Sequence, residues 1–194
     1  ISFFMLFCWL GDVYKRQDER WDLKFIGMQI IIEGLALAAF SMLKSITKDP
    51  LLKQLLHYVI RDEARHVTFG INYLEDYVKT LSQDEINDRA NFAYEACVIS
   101  RERLINTKSE QRFLKMTESE ARDFTLSTSS FAMFRNFLFS RVIPNLSRIG
   151  LLTDEVRPKF DALGLLEYEQ APDDFECDWV ELKKPLESFD EVAT

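Results

Sequence analysis

The chain has 194 residues, 47% hydrophobic and 29% charged, with a formal charge of −8 and only six glycines and five prolines. That length suits one domain with or without a tail, and the scarcity of turn residues with many helix formers argues for helices over a turn-rich β fold. No basic patch of the kind that grips nucleic acid is evident, and three cysteines without short spacing (Cys8, Cys97, Cys177) indicate neither disulfides nor a thiolate metal site, so a reducing cytoplasm is the default.

Residues 1–17, ISFFMLFCWLGDVYKRQ, are too short to span a membrane and lack a signal peptide's basic start and cleavage site. The stretch DVYKRQ resembles the translation of a transposase adaptor end used in sequencing libraries. On that reading residues 1–17 are an artefactual segment, the native frame starts near Asp18, and the chain is the carboxyl-terminal part of a longer protein.

From Asp18 to about Thr47 the pattern predicts one long helix. Its central run, Phe25 to Leu43, is apolar except for Glu33. Such a helix is either a membrane span or the innermost member of a bundle. An isolated ionised carboxylate in an apolar interior either neutralises or finds a partner. Lys48-Asp49-Pro50 then predicts a turn, with Asp49 as N-cap and Pro50 in the first helical position.

A second, amphipathic helix should run from Pro50 to about Leu81. Ser82 and Glu85 form a capping-box pattern for a third, to about Ile105. Residues 106–117 read as a connection. A further helix over 118–142 should stop at Pro144, followed by a short helix at 153–163. Residues 18–165 thus form an all-α helical domain. Residues 166–194 are an acidic tail, which carries ten acids from Glu167 onward against Lys183 and Lys184.

The second helix contains RDEARH, residues 61–66. Glu63 and His66, three apart, share a helix face and can offer an oxygen and a nitrogen to one metal ion. Two helices joined by a tight turn run antiparallel, so residues equidistant from the turn lie side by side. Residues 33 and 63, or 33 and 66, are centred on the turn at Lys48–Pro50. Glu33 should therefore stand level with Glu63 and His66. Two other readings remain: Glu33 ion-pairs with Arg61 or Arg65, or the apolar run is a membrane helix with a functional carboxylate. The absence of a second apolar span weighs against the latter. His57, nine residues before His66, should face the opposite way, as a surface or packing residue.

A Glu within an apolar helix, followed thirty positions later by DEARHVTFG, resembles the second half of ferritin-like di-iron carboxylate proteins. These include the ribonucleotide reductase small subunit and amine N-oxygenases, and the likeness covers residues 20–82. It implies a ferritin-like helical bundle, two iron ions or a manganese–iron pair, and metal ligation by Glu33, Glu63 and His66. Asp62 would orient a histidine ligand from the other half, unless it merely pairs with Arg65.

The family's complete site needs a second Glu and a second Glu-x-x-His, which two histidines cannot supply. The resemblance puts them upstream of Asp18. In a homodimer, two such half-sites could also face each other. For Glu95, another lone carboxylate among apolar residues, a packing or ion-pair role is a plainer expectation than an approach to the site. Phe69, Tyr73, Phe131 and Phe134 are candidate pocket walls, or simply core. The resemblance implies a soluble, cytoplasmic enzyme that takes O₂, an electron donor and a small organic substrate. The alternatives are a ferroxidase without organic substrate and a metal-free helical remnant.

Overall fold

A computed structural model describes residues 20–171, which form a helical bundle with no strand among them. Residues 1–17, most of the acidic tail, Cys8 and Cys177 lie outside the described residues.

Helix α1, Trp21–Ile46, is the central member. It is long and apolar enough to cross a membrane, and most of it is buried inside the structure. It begins as an α-helix over Trp21–Phe25, widens to a π-helix over Ile26–Ile32, and returns to α at Glu33. α2, Pro50–Val78, packs back along α1, and α3, Gln83–Arg103, meets it at the π segment. Four shorter helices follow: α4 (Lys108–Leu114), α5 (Glu118–Ser127), α6 (Ser129–Phe137) and α7 (Val142–Arg148). α8 (Arg157–Ala162) completes the order.

The caps explain the boundaries. Asp49 Oδ1 accepts from the Leu52 N–H at 3.1 Å, with Pro50 in the first turn, as expected from the turn sequence. At α3, Ser82 Oγ accepts from the Glu85 N–H, and Glu85 returns the contact to the Ser82 N–H at 2.8 Å.

Three expectations for the later chain need correction. Residues 106–117 contain α4, which buries none of its residues and so leaves no apolar periodicity to read. The helix expected over 118–142 is broken at Thr128 and again by a 3₁₀ turn at Leu138–Ser140. Pro144 does not end a helix but sits in the first turn of α7, where its missing N–H would have had no intrahelical partner.

The core joins Ile26, Ile30 and Leu35 of α1 to Val67, Ile71 and Leu74 of α2, Ala93 and Cys97 of α3, and Phe139, Ile143 and Phe160 beyond. Burial holds the Cys97 thiol well above its usual pKa, so it packs as a small apolar side chain. A buried ion pair, Asp22 to Arg89 at 2.8 Å, ties the start of α1 to α3. The start of the acidic segment belongs to the fold. Glu169 accepts from both Arg157 Nη atoms, at 2.9 and 2.6 Å, and from Ser147 Oγ at 3.2 Å.

Candidate metal centre

The antiparallel register of α1 and α2 can be followed contact by contact. Trp21 meets Tyr77 with ring centroids 4.7 Å apart, and Phe25 meets Tyr73 and Phe69, each at 6.1 Å. Gln29 lies against Gly70, and Glu33 Oε1 stands 3.9 Å from His66 Nδ1. One seam therefore passes from rings to an amide to a carboxylate and an imidazole.

Glu63 closes the group, with Oε2 at 3.4 Å from the same His66 nitrogen. Glu33, Glu63 and His66 each offer one ligand atom, all within 4.8 Å of one another. Two donors each about 2.1 Å from a shared ion stand roughly 3.0–3.4 Å apart, so modest side-chain motion closes this set around a cation. The side chains are 12%, 23% and 59% exposed in that order, which makes the site a shelf with an open rim at His66.

Electrostatics separate Glu33 from its neighbours. Its carboxyl is pushed up to about 7, chiefly by burial, then by the nearby Glu63 carboxylate, with His66 opposing. Oε2 of Glu33 is buried and has no hydrogen-bond partner. The two arginines do not reach it: Arg61 and Arg65 both pair with Asp62, at 3.5 and 3.3 Å. Neither arginine neutralises this carboxyl, and the three donors are of a type that could hold a divalent cation.

The other anticipated residues fall as follows. Asp62 is on the α2 surface with Arg65, and orients no histidine among the described residues. Phe69 and Tyr73 are 56% and 57% exposed, flanking the seam rather than filling the core. Phe134 borders a shallow groove with Phe40, Met42 and Ile46, and Phe131 lies under the Arg135 guanidinium. Glu95 is exposed on α3 and outside the ligand group. His57 is a packing residue, buried, with Nδ1 at 3.2 Å from Lys44 Nζ, and burial lowers the Lys44 pKa.

Gln29, Gly70 and the π segment are features that sequence reading missed. A Cβ at Gly70 would stand 2.6 Å from Gln29 Cβ, so only glycine lets the π turn come this close. Gly70→Ala should force the helices apart and cost about 2 kcal/mol, measured by chemical denaturation. An unchanged midpoint would mean that the seam is slack. The DEARHVTFG stretch already held the signal, as a glycine one turn beyond His66.

Comparison with family models, with curated proteins and with solved structures finds no match to this chain.

Proposed function

We propose that this chain is part of a ferritin-like, non-haem di-iron protein that uses O₂ to oxidise a small organic substrate. The observation that carries the reading is the convergence of Glu63 and His66 on Glu33, a buried carboxyl with one oxygen left without a hydrogen-bond partner. Carboxylate and imidazole donors suit Fe(II) or Mn(II) better than soft metals. The three donors supply one ion, or half of a pair. A second set of ligands, from an upstream segment or a second copy in a homodimer, completes a pair of iron ions or a manganese–iron pair. The bound metal supplies the redox chemistry with O₂, drawing on an electron donor.

The chain's own residues do the rest. Glu33 gives up its proton to become a ligand, Glu63 balances charge, and His66 contributes the neutral nitrogen. Phe69 and Tyr73 offer an apolar wall beside the ligands, and Asp62 remains available to a histidine supplied from outside the described residues. We read α1 as the core helix of a soluble protein, because its neighbours bury it and its partner helix is amphipathic, and the cysteine usage makes a reducing cytoplasm its expected compartment.

Anaerobic loading of the full-length protein with Fe(II), followed by O₂, tests the proposal. The expected result is a transient visible absorption with O₂ uptake. Silence in both overturns the oxygen-activating reading. The exposure of His66 favours a second reading, an iron-oxidising protein with an open site and no organic substrate. Iron oxidation that no organic compound accelerates or diverts would select it.

A further inference from the structure

α2 has two apolar faces, and the described residues cover one of them. Leu56, Val67, Ile71 and Leu74 point into the core. Leu51, Leu55, His66, Phe69 and Tyr73 are each more than half exposed. At about 100° per residue these five, with Tyr58 and Asp62 between them, fall within about 80° of arc, and they run about 33 Å from first to last. A straight stripe of that length, with steps of three and four residues, has the form of a seam for another helix, and a small molecule would span only a fraction of it. The ligand group opens on the same face, at the exposed rim of His66.

The stripe is also self-complementary. Residues 51 and 73, like 55 and 69, are centred on Asp62. We propose that α2 pairs antiparallel with α2 of a second copy of this chain, about a two-fold axis level with Asp62, and that each copy completes the other's ion site. Leu51 then meets Tyr73 of the second copy and Leu55 meets Phe69, a leucine against a ring at both ends, as an isologous interface requires. The charges agree with this register. Exposed Lys48 stands level with exposed Asp76 of the second copy, and at the axis the two Asp62 carboxylates lie among Arg61 and Arg65 of both copies. Glu63 lies one residue and His66 four from the axis, on the flank that faces α1. A two-fold rotation sets that flank beside its counterpart, so both ligand sets gather within about one helical turn of the axis. This sequence has only one other histidine, His57, which is buried beside Lys44, whereas a second copy brings another His66 to the matching height. The shared ion site rests on the reading of the triad as ligands; the helix pairing does not.

Sedimentation equilibrium of the full chain, with chelator and with Mn(II), tests the pairing. A dimer is expected in both, at least about tenfold tighter with Mn(II), because the ions bind the pair better than the single chain. Leu55→Glu and Phe69→Lys should each weaken it by about 100-fold, since the axis repeats every change and each repeat buries an unpaired charge. Combined in one chain, they should restore it to within about tenfold, because each new carboxylate then faces an ammonium of the other copy. Positions 55 and 69 of one chain are about 21 Å apart along the helix, so only the proposed register brings them together. Circular dichroism checks the helix content, and if Leu55→Glu lowers it, Leu51→Glu with Tyr73→Lys repeats the test at the other leucine–ring pair. A monomer under both conditions, a dimer indifferent to the single substitutions, or a double substitution that restores nothing overturns the pairing. A monomer of the full-length protein would assign the stripe to an upstream helix and overturns it equally. The two readings separate: Mn(II) bound by a monomer keeps the ion site and removes the pairing, whereas a dimer that binds no Mn(II) upholds the pairing and removes the ion site.

Discussion

Glu33→Gln is expected to abolish tight divalent-ion binding and, in the ion-free chain, to raise stability at neutral pH. The two halves have one cause. Changes to groups that only orient metal ligands already cost 10–100-fold in affinity, so loss of an anionic ligand should cost more than about 100-fold. In the absence of the ion, the same carboxylate is a liability. Its pKa rises from 4.5 to about 7 in the folded chain, so the fold favours the protonated form. The contribution to stability is full below pH 4.5, falls as pH rises between the two values, and stays low above 7. The amide mimics the protonated acid and removes that slope. With screening at a partly accessible site, the gain at pH 8 should be on the order of 1–2 kcal/mol. Denaturation with chelator at pH 5 and pH 8 reads the slope, and Mn(II) titration reads the affinity. Ion binding should also strengthen as pH climbs through 7, because the ion must displace the Glu33 proton. A glutamine variant less stable than its parent at pH 8 would mean that some group of the chain already holds Glu33 ionised.

The register of this site was legible because it depends on few things. The turn at Asp49-Pro50 is written in residue types with strong local meaning, and a tight antiparallel pair converts sequence position directly into height. Hence Glu33, Glu63 and His66 come together as the spacing implies. The surface pairing of Asp62 with Arg65 was likewise written in their i, i+3 spacing. What could not be read lies where the apolar pattern is either unbroken or missing. In Phe25–Leu43 every face is apolar, so an inserted residue breaks no pattern and the π segment leaves no trace. Along α6 and the 3₁₀ turn, the apolar run FAMFRNFLF hides a break that no proline or glycine marks. In α4 the opposite holds, because a helix that buries nothing gives no periodicity. The exposure of Phe69 and Tyr73 was hidden too, since aromatic residues at helical spacing read as core whether or not another element covers them.

Deletion of one residue from the π segment, Met28, is expected to break either the packing of the amino-terminal end of α1 or the ligand set. A π turn carries one residue more than the α-helix around it, so its removal should let Ile26–Ile32 rewind as α. The two ends of α1 would then turn by about 100° and shift by about 1.5 Å relative to each other. Each end is anchored. On one side Asp22 is bonded to Arg89 at 2.8 Å and Trp21 packs on Tyr77. On the other, Glu33 faces His66, and a side chain on Gly34 would meet Val142 at 3.2 Å, which leaves little room to rotate. Both sets of contacts cannot survive the change. If the amino-terminal end yields, a buried ion pair breaks, at a cost of about 3–5 kcal/mol. If the other end yields, the ligand set disperses and ion affinity falls by more than about 100-fold. Denaturation and Mn(II) titration of the same protein tell which occurs. Met28→Ala keeps the residue count and should leave ion affinity within about twofold, because Met28 is only half-buried and lies outside the ligand set. A deletion variant that keeps both its stability and its ion affinity would show that the π turn has no part in aligning the seam.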